Sequence, residues 1–281
     1  MKTIGLGMLF AAAAALGACG GGGDDATGPD AAPPACNEAG GASCFERPTV
    51  AATLEDGTTL ANWNCPADTI EMATAPFMVS GTVNDFQTGN TLAGATVEAF
   101  NSAIDFSSAV TMATTDASGA YTLTLPIGTP SRMAWRMKHP DALPAFIGVN
   151  RTPGLGVLAG AIRDCDRQPV MHAIATLSST SSVGNATPGF VSDAQVYYFS
   201  AGASLSLPVQ RSIRTDSNKD GLFVIIEIPP TSAGQTYFLQ VWAYKTAADV
   251  TSNTLSLVSE FESVVIGDSV IVVDMDPNQG T

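Results

Sequence analysis

The residues whose spacing best suits them to chemistry form an acidic turn late in the chain. Asp216, Asn218, Asp220 and Glu227 stand at positions 1, 3, 5 and 12 of a pattern typical of calcium loops, with Gly221 at position 6. An EF-hand also needs flanking helices, but the residues after Gly221 are β-branched and end in a double proline. In a strand, each residue advances about 3.3 Å, which would carry Glu227 away from the turn. Two interpretations stay open: calcium bound by Asp216, Asn218 and Asp220 alone, and the favoured one, an Asx-rich hairpin turn.

The histidines give little support for catalysis. Nucleophilic catalysis needs a serine or cysteine beside a histidine that a carboxylate orients. The chain has two histidines, His139 in a Lys-His-Pro sequence and His172 between a turn and a strand, and it has no Gly-x-Ser-x-Gly nucleophile elbow. Neither histidine has zinc-ligand spacing, and no Cys-x-x-Cys pair occurs. We therefore expect a protein that is not an enzyme and has no cofactor, with calcium as the exception left open.

Aromatic residues on two predicted strands are candidates for stacking on a sugar. The residues concerned are Tyr197, Tyr198, Trp242 and Tyr244. Because side chains alternate between the faces of a strand, one part of this set should be buried while the other is exposed. Core packing is the favoured alternative, since aromatic residues usually supply core area.

The cysteines predict an oxidising compartment. Apart from Cys19, the chain contains Cys36, Cys44, Cys65 and Cys165. An even number of thiols outside the cytoplasm is most simply explained by disulfides, and four cysteines allow three pairings. The local pair would be Cys36 with Cys44, which would leave Cys65 to join the N-terminal segment to Cys165. The sequence alone leaves the connectivity open.

The N-terminus predicts export and lipidation. Lys2 is followed by an apolar stretch, residues 4–15, that is too short to cross a bilayer and ends in small residues. The next four residues, Leu16-Gly17-Ala18-Cys19, resemble the lipobox of bacterial lipoproteins. That resemblance implies acylation of Cys19, which becomes the mature N-terminus and anchors the protein to a membrane. Gly20, in place of the aspartate that tends to mark inner-membrane retention, favours the outer membrane. A Gly/Pro/Asp-rich tether follows.

The charge of the chain excludes one class of partner. Acidic residues outnumber basic ones 26 to 12, for a formal net charge of −14. A protein so charged repels phosphate backbones and gains none of the counterion release that drives nucleic-acid binding. We therefore expect no nucleic-acid partner.

Alternating apolar and polar residues, interrupted by turn glycines, predict short strands. The chain has 27 Gly and 17 Pro. Val79, Gly81 and Val83 alternate with polar residues at the strand period, and a second strand is predicted from Ala95. Residues 114–125 place a tight turn before another strand. These blocks resemble the carboxypeptidase regulatory-like family, a transthyretin-type (prealbumin-like) β-sandwich, over about residues 77 to 149. The resemblance rests on Gly81, Val83, Asp85, Thr88, Gly89, Leu92, Gly94, Ala95 and Val97, followed by Thr115, Asp116, Gly119, Tyr121 and Leu123.

A weaker second copy of the pattern follows. Residues 160–173 align with residues 81–95, and the block from Thr215-Asp216 to Ile225 aligns with the Thr-Asp block of the first copy. His172 stands where the first copy has Gly94, and residues 177–190 form a Ser/Thr/Gly-rich insertion that we expect to be a surface loop. The remaining strands are predicted at residues 194–200, 236–244, 255–258 and 269–274.

The sequence thus predicts an all-β protein with two tandem transthyretin-like β-sandwich domains. The predicted divisions are a lipoprotein signal peptide (1–18), a tether (19–35), a cysteine-containing segment that forms a cap or an added strand (36–76), and the two domains (77–157 and 158–281). The expected function is that of a non-catalytic cell-envelope lipoprotein acting as a structural or binding module. Its alternatives are a carbohydrate-binding lipoprotein and a calcium-stabilised adhesion module. The expected partners are the membrane, through the lipid, and a cell-surface glycan or an envelope protein.

Overall fold

The structure is a computed structural model of the 281-residue chain. It describes residues 46–65, 70–84, 90–131, 133–138, 152–183, 188–191, 194–201, 206–209, 214–275 and 277. The predictions for the signal peptide, Cys19, the tether, Cys36, Cys44 and His139 lie outside the described residues.

Short strands make up nearly all the regular structure, which confirms the all-β prediction. The first half of the fold contains β1 (Phe77–Thr82), β2 (Thr96–Phe100), β3 (Thr111–Thr114), β4 (Ala120–Leu125) and β5 (Ala134–Lys138). The second half contains β6 (Gly156–Ile162), β7 (Ile174–Ser178), β8 (Gln195–Ala201), β9 (Ser206–Val209), β10 (Leu222–Ile228), β11 (Tyr237–Ala243), α1 (Ala247–Ser252), β12 (Ser256–Ser263) and β13 (Val270–Met275). The strands predicted at 194–200, 236–244, 255–258 and 269–274 correspond to β8, β11, β12 and β13, and β12 continues beyond the predicted end to Ser263.

One large sheet runs through both halves. Its strand order is β3-β2-β5-β13-β6-β10-β8-β9, and two smaller sheets have the orders β1-β4 and β12-β11-β7. The last strand, β13, lies between the halves: it pairs antiparallel with β5 and parallel with β6. The two halves therefore share a continuous hydrogen-bonded sheet that crosses the predicted domain boundary at residue 157.

The two small sheets cover opposite faces of the large sheet, which makes the fold a sandwich. In β10, Phe223 and Ile225 face the core that also contains Leu239 and Val241 of β11. On the other face of the large sheet, Val97 of β2 packs in a separate core with residues that include Val83 and Leu123. The alternation of apolar residues along each strand produces these two cores, because successive side chains point to opposite faces.

The N-terminal segment, residues 46–65, packs on the second half. The Ala52 amide donates to the Tyr244 carbonyl at 2.9 Å, and Thr53 forms an isolated bridge with Met171. Ala52 and Ala61 belong to the same core as Trp242. A disulfide joins Cys65 to Cys165 with a Cα–Cα distance of 5.1 Å. The segment is thus a cap on the β12-β11-β7 sheet, stapled in place by that disulfide.

Candidate functional site

A hydroxyl anchors the acidic turn before β10. Ser217 donates its amide to the Ala173 carbonyl at 2.8 Å and its Oγ to the Val170 carbonyl at 2.7 Å, while the Ala173 amide donates to Ser217 Oγ at 3.0 Å. In the first half, Thr115 makes the same three bonds with Ala95 and Leu92. The two turns are therefore held by equivalent hydrogen bonds.

This equivalence corrects the predicted alignment of the second half with the first. Ser217 occupies the place of Thr115, so Asn218 takes the place of Asp116, and the alignment through Thr215-Asp216 is wrong by two residues. Gly221 matches Gly119: both have positive φ, 68° and 73°. The carbonyl of Gly221 accepts the Ile162 amide, and that of Gly119 accepts the Val83 amide, both at 2.8 Å. The Thr-Asp match is misleading because the turn requires a fixed separation between the hydroxyl residue and the glycine. This separation is four residues both from Thr115 to Gly119 and from Ser217 to Gly221.

The shift places Asp216 outside the turn, beside His172 and Arg214. Asp216 Oδ2 lies 3.3 Å from His172 Nδ1, and Asp216 Oδ1 accepts from Arg214 Nη1 at 3.1 Å. Arg214 Nη1 also donates to the Ser217 carbonyl at 3.1 Å. His172 has φ of 61° where Gly94 has 81°, so a residue with a Cβ occupies a left-handed position here. Among the described residues, the His172 side chain hydrogen-bonds to Asp216 and to no serine or cysteine.

The four predicted calcium ligands do not converge. Asn218 Oδ1 accepts from the Lys219 amide at 2.9 Å, and Asp220 Oδ1 accepts from the Leu222 amide at 3.3 Å. Glu227 lies towards the other end of β10 at a bulge, with φ of 57°, and its Oε1 accepts the Thr152 amide at 2.8 Å. In the described part of the chain, no group of three His, Cys, Asp or Glu side chains could hold a metal ion. The geometry is that of a hydrogen-bonded Asx turn next to an ion-paired Asp216.

The predicted stacking aromatics are wrong as an exposed platform. Tyr197 and Tyr198 are 2% exposed, Trp242 is fully buried and Tyr244 is 2% exposed. Their polar atoms have partners inside the protein: the Tyr244 hydroxyl donates to Asn253 Oδ1 at 2.5 Å, and Trp242 Nε1 donates to Gln240 Oε1 at 3.2 Å. The favoured interpretation, core packing, agrees with this burial. The stacking alternative fails because it assumed that one face of each strand meets solvent, whereas β8 and β11 are covered on both faces.

The Ser/Thr/Gly-rich insertion is fastened to the outer face of β11. Gln240, which is fully buried, accepts from the Gly189 amide at 3.3 Å and donates to Glu260 Oε2 at 3.0 Å. Glu260 in turn accepts from Ser181 Oγ at 2.5 Å and from the Ser182 amide at 2.8 Å. Sequence reasoning missed this network because an isolated glutamine in a strand carries no signal of its own.

An open cavity of about 380 Å³ lies at the Asp56-Gly57 turn of the N-terminal segment. It is lined by Leu54, Glu55 and Asp56 of the N-terminal segment and by Gln168 and Pro169. Hydrogen bonds from the side chain and amide of Thr59 and from the amide of Thr58 lower the pKa of Asp56 to about 2. Its carboxylate therefore stays ionised in this exposed turn. The Asp56-Gly57 turn was visible in the sequence, but its neighbours in the cavity were not.

A buried ion pair lies on β2 and β5 of the first half. Arg136 Nε donates to Glu98 Oε2 at 2.6 Å, and the two side chains are 9% and 8% exposed. The guanidinium carbon lies 4.8 Å from the centroid of the Phe100 ring and 5.6 Å from that of Phe106. Burial alone would raise the pKa of Glu98, but the Arg136 hydrogen bond and the charges of Arg136 and Lys138 outweigh it and hold the pKa below its ordinary value.

Comparison with known proteins identifies one part of the chain. Residues 78–137 match the model of the carboxypeptidase regulatory-like domain family, which confirms that domain from β1 into β5. No curated protein and no solved structure matches the chain. Within the described residues, no helix has the length and apolar character needed to span a membrane.

Proposed function

We propose that the protein is a non-catalytic lipoprotein of the cell envelope, held on the outer membrane by acylated Cys19. Two regulatory-like sandwiches would form one rigid module that spaces or presents a binding surface. The rigidity of this module is inferred from β13, which pairs with β5 on one side and with β6 on the other. A strand hydrogen-bonded to both halves opposes bending at their junction, as a spacer or scaffold requires.

Repeated details support a tandem origin for the two halves. Gly81 lies opposite Tyr121 in the β1-β4 pair, and Gly160 lies opposite Phe223 in the β6-β10 pair. In each case an aromatic side chain on one strand faces a glycine on the next, as the aligned pattern predicts. Together with the equivalent turns at Thr115 and Ser217, this favours a second, divergent copy over an unrelated sandwich.

The alternatives have less support than a protein-binding module. A carbohydrate-binding lipoprotein was predicted from Tyr197, Tyr198, Trp242 and Tyr244, which are buried. A calcium-stabilised adhesion module was predicted from Asp216, Asn218 and Asp220, but Asp216 lies outside the turn and is paired with Arg214 and His172. We therefore favour an envelope protein as the partner over a glycan.

The anchor is tested by mass spectrometry of the mature protein extracted from membranes, with a Cys19→Ala variant as the comparison. We expect a mature chain that begins at an acylated Cys19, whereas Cys19→Ala should leave the membrane fraction. A Gly20→Asp variant is the matched control: it should keep the lipid and move towards the inner membrane. An unmodified Cys19 in membrane-purified protein would refute the anchor.

A further inference from the structure

The N-terminal segment is held to the second half by a clasp next to the disulfide. We define this clasp as residues 62–65 and 164–166. The carboxylate of Asp164, which is 1% exposed, accepts the Asn62 amide at 3.2 Å, and the Cys165 amide donates to the Asn62 carbonyl at 2.9 Å. Asn62 Nδ2 donates to Asp166 Oδ2 at 3.1 Å. The Cys65–Cys165 disulfide closes the clasp covalently.

The rest of the segment also binds the second half. Arg47 Nη1 donates to the carbonyl and the Oδ1 of Asn253 at 2.9 and 3.0 Å, respectively. Thr53 and Met171 exchange two backbone hydrogen bonds, of 3.2 and 2.7 Å. The chain therefore enters the fold on the second half, leaves at Cys65 to build β1–β5, and returns through β6 to Cys165.

We propose that the clasp removes the backbone of the first half from the covalent path that carries tension through the protein. The disulfide joins residues that are 100 positions apart, and all of β1–β5 lies inside the loop that it closes. A force between the N-terminal side of the protein and its C-terminus passes from residue 65 to residue 165 through the disulfide. Residues 66–164 cannot be extended by that force while the disulfide is intact.

The clasp protects the first half from tension only if the protein is anchored, so its role rests on the proposed lipidation of Cys19. A partner that pulls on the second half would load the N-terminal segment, the clasp and the second half, in that order. The regulatory-like domain of residues 78–137 would remain folded beside that path and keep its surface for a ligand. Without the clasp, the same domain would stand in series with the anchor and would unfold under load.

The test is single-molecule pulling of the mature chain between protein handles fused to its two ends, compared in oxidised form and as Cys65→Ser/Cys165→Ser. At about 3.5 Å per residue, opening the loop should add about 350 Å to the extension released on complete unfolding. We expect the first-half unfolding step to be absent from the oxidised protein and present in the variant. Equal total extensions in the two forms would overturn the proposal.

Two controls keep the result interpretable. A Cys36→Ser/Cys44→Ser variant retains only the clasp pair, and it should behave like the oxidised parent. If Cys65→Ser/Cys165→Ser does not fold, the parent protein is folded oxidised and then treated with dithiothreitol on the instrument, which should add the same about 350 Å. Because the handles replace the lipid, this outcome is independent of whether Cys19 is acylated.

Discussion

The buried Glu98–Arg136 pair allows a sharp test of what stabilises the first half. Replacing Arg136 with Met removes the cation and leaves a carboxylate that is 8% exposed with Lys138 Nζ, 3.4 Å away, as its neighbour. Breaking a buried ion pair from one side costs about 3 to 5 kcal/mol, because the remaining charge stays desolvated. The loss of the guanidinium above Phe100 adds about 1 kcal/mol. We expect Arg136→Met to lower the free energy of unfolding by about 4 to 6 kcal/mol.

A double-mutant cycle separates the pair from the packing. Glu98→Leu/Arg136→Met replaces both charges by apolar groups, so no desolvated ion remains, and we expect a total cost of about 1 to 2 kcal/mol. Urea unfolding at pH 7 measures the free energy of unfolding of the parent, Glu98→Leu, Arg136→Met and the double variant. The exposed pair of Lys219 and Glu55, with an N–O distance of 3.9 Å, is the matched control: Lys219→Met should cost less than about 1 kcal/mol. If the double variant lost the sum of the two single losses, the argument from desolvation would be refuted.

The same pair predicts the direction of the acid response. The folded-state pKa of Glu98 lies below its ordinary value of 4.5. A carboxyl with a depressed folded pKa adds stability that is fully present above the unfolded pKa and is lost as the pH falls through the folded pKa. The stability advantage of the parent over Glu98→Gln should therefore be constant at neutral pH and shrink below about pH 4.5. A difference that grew on acidification would contradict this sign.

Three further predictions concern the turns and the shared strand. Gly94→Ala should lower the free energy of unfolding in urea by about 1 kcal/mol, because φ is 81° and a new Cβ would meet nothing within 4 Å. Gly119→Ala should cost at least twice as much, because φ is 73° and the new Cβ would lie 2.6 Å from the Val83 carbonyl oxygen. Equal losses in the two variants would contradict this close approach. Gly160→Ala should cost about 3 kcal/mol or more because the added methyl would overlap the Val273 carbonyl oxygen and push β13 from β6; an unchanged urea midpoint would show that the strands are not in contact. Millimolar calcium should leave the melting temperature unchanged, as should magnesium, because Asp216 is already paired with an arginine and a histidine; a saturable rise with calcium alone would show a calcium site.

Much of the fold could be predicted because its signals are local. Alternation placed strands at residues 194–200 and 269–274, where β8 and β13 lie. The turn glycines, Gly119 among them, were visible because a left-handed position admits little else. The regulatory-like pattern, predicted over about residues 77 to 149, combined both kinds of signal, and the family match confirms it over residues 78–137.

The candidate site was predictable only in part. The spacing of Asp216, Asn218 and Asp220 suited a calcium loop, but spacing cannot show that Arg214 and His172 reach Asp216. The predicted alignment of the repeat was wrong by two residues for a similar reason. It followed the matching residue types Thr-Asp, whereas the hydrogen bonds of the Ser217 hydroxyl decide the alignment. Trp242 is buried in a core that also contains Ala52 and Ala61 of the N-terminal segment, which lies far away in the sequence.

By itself, the sequence determined the strand composition, the regulatory-like domain and the cysteines available for pairing. Period, turn glycines and residue types act over a few residues, so these features can be seen without knowing what lies opposite. Only the tertiary structure decided that β13 joins the two halves, that residues 46–65 cap the second half and that Cys65 pairs with Cys165. Those choices depend on which apolar faces and backbone edges meet across about a hundred residues, and that is a property of the packed whole rather than of any segment.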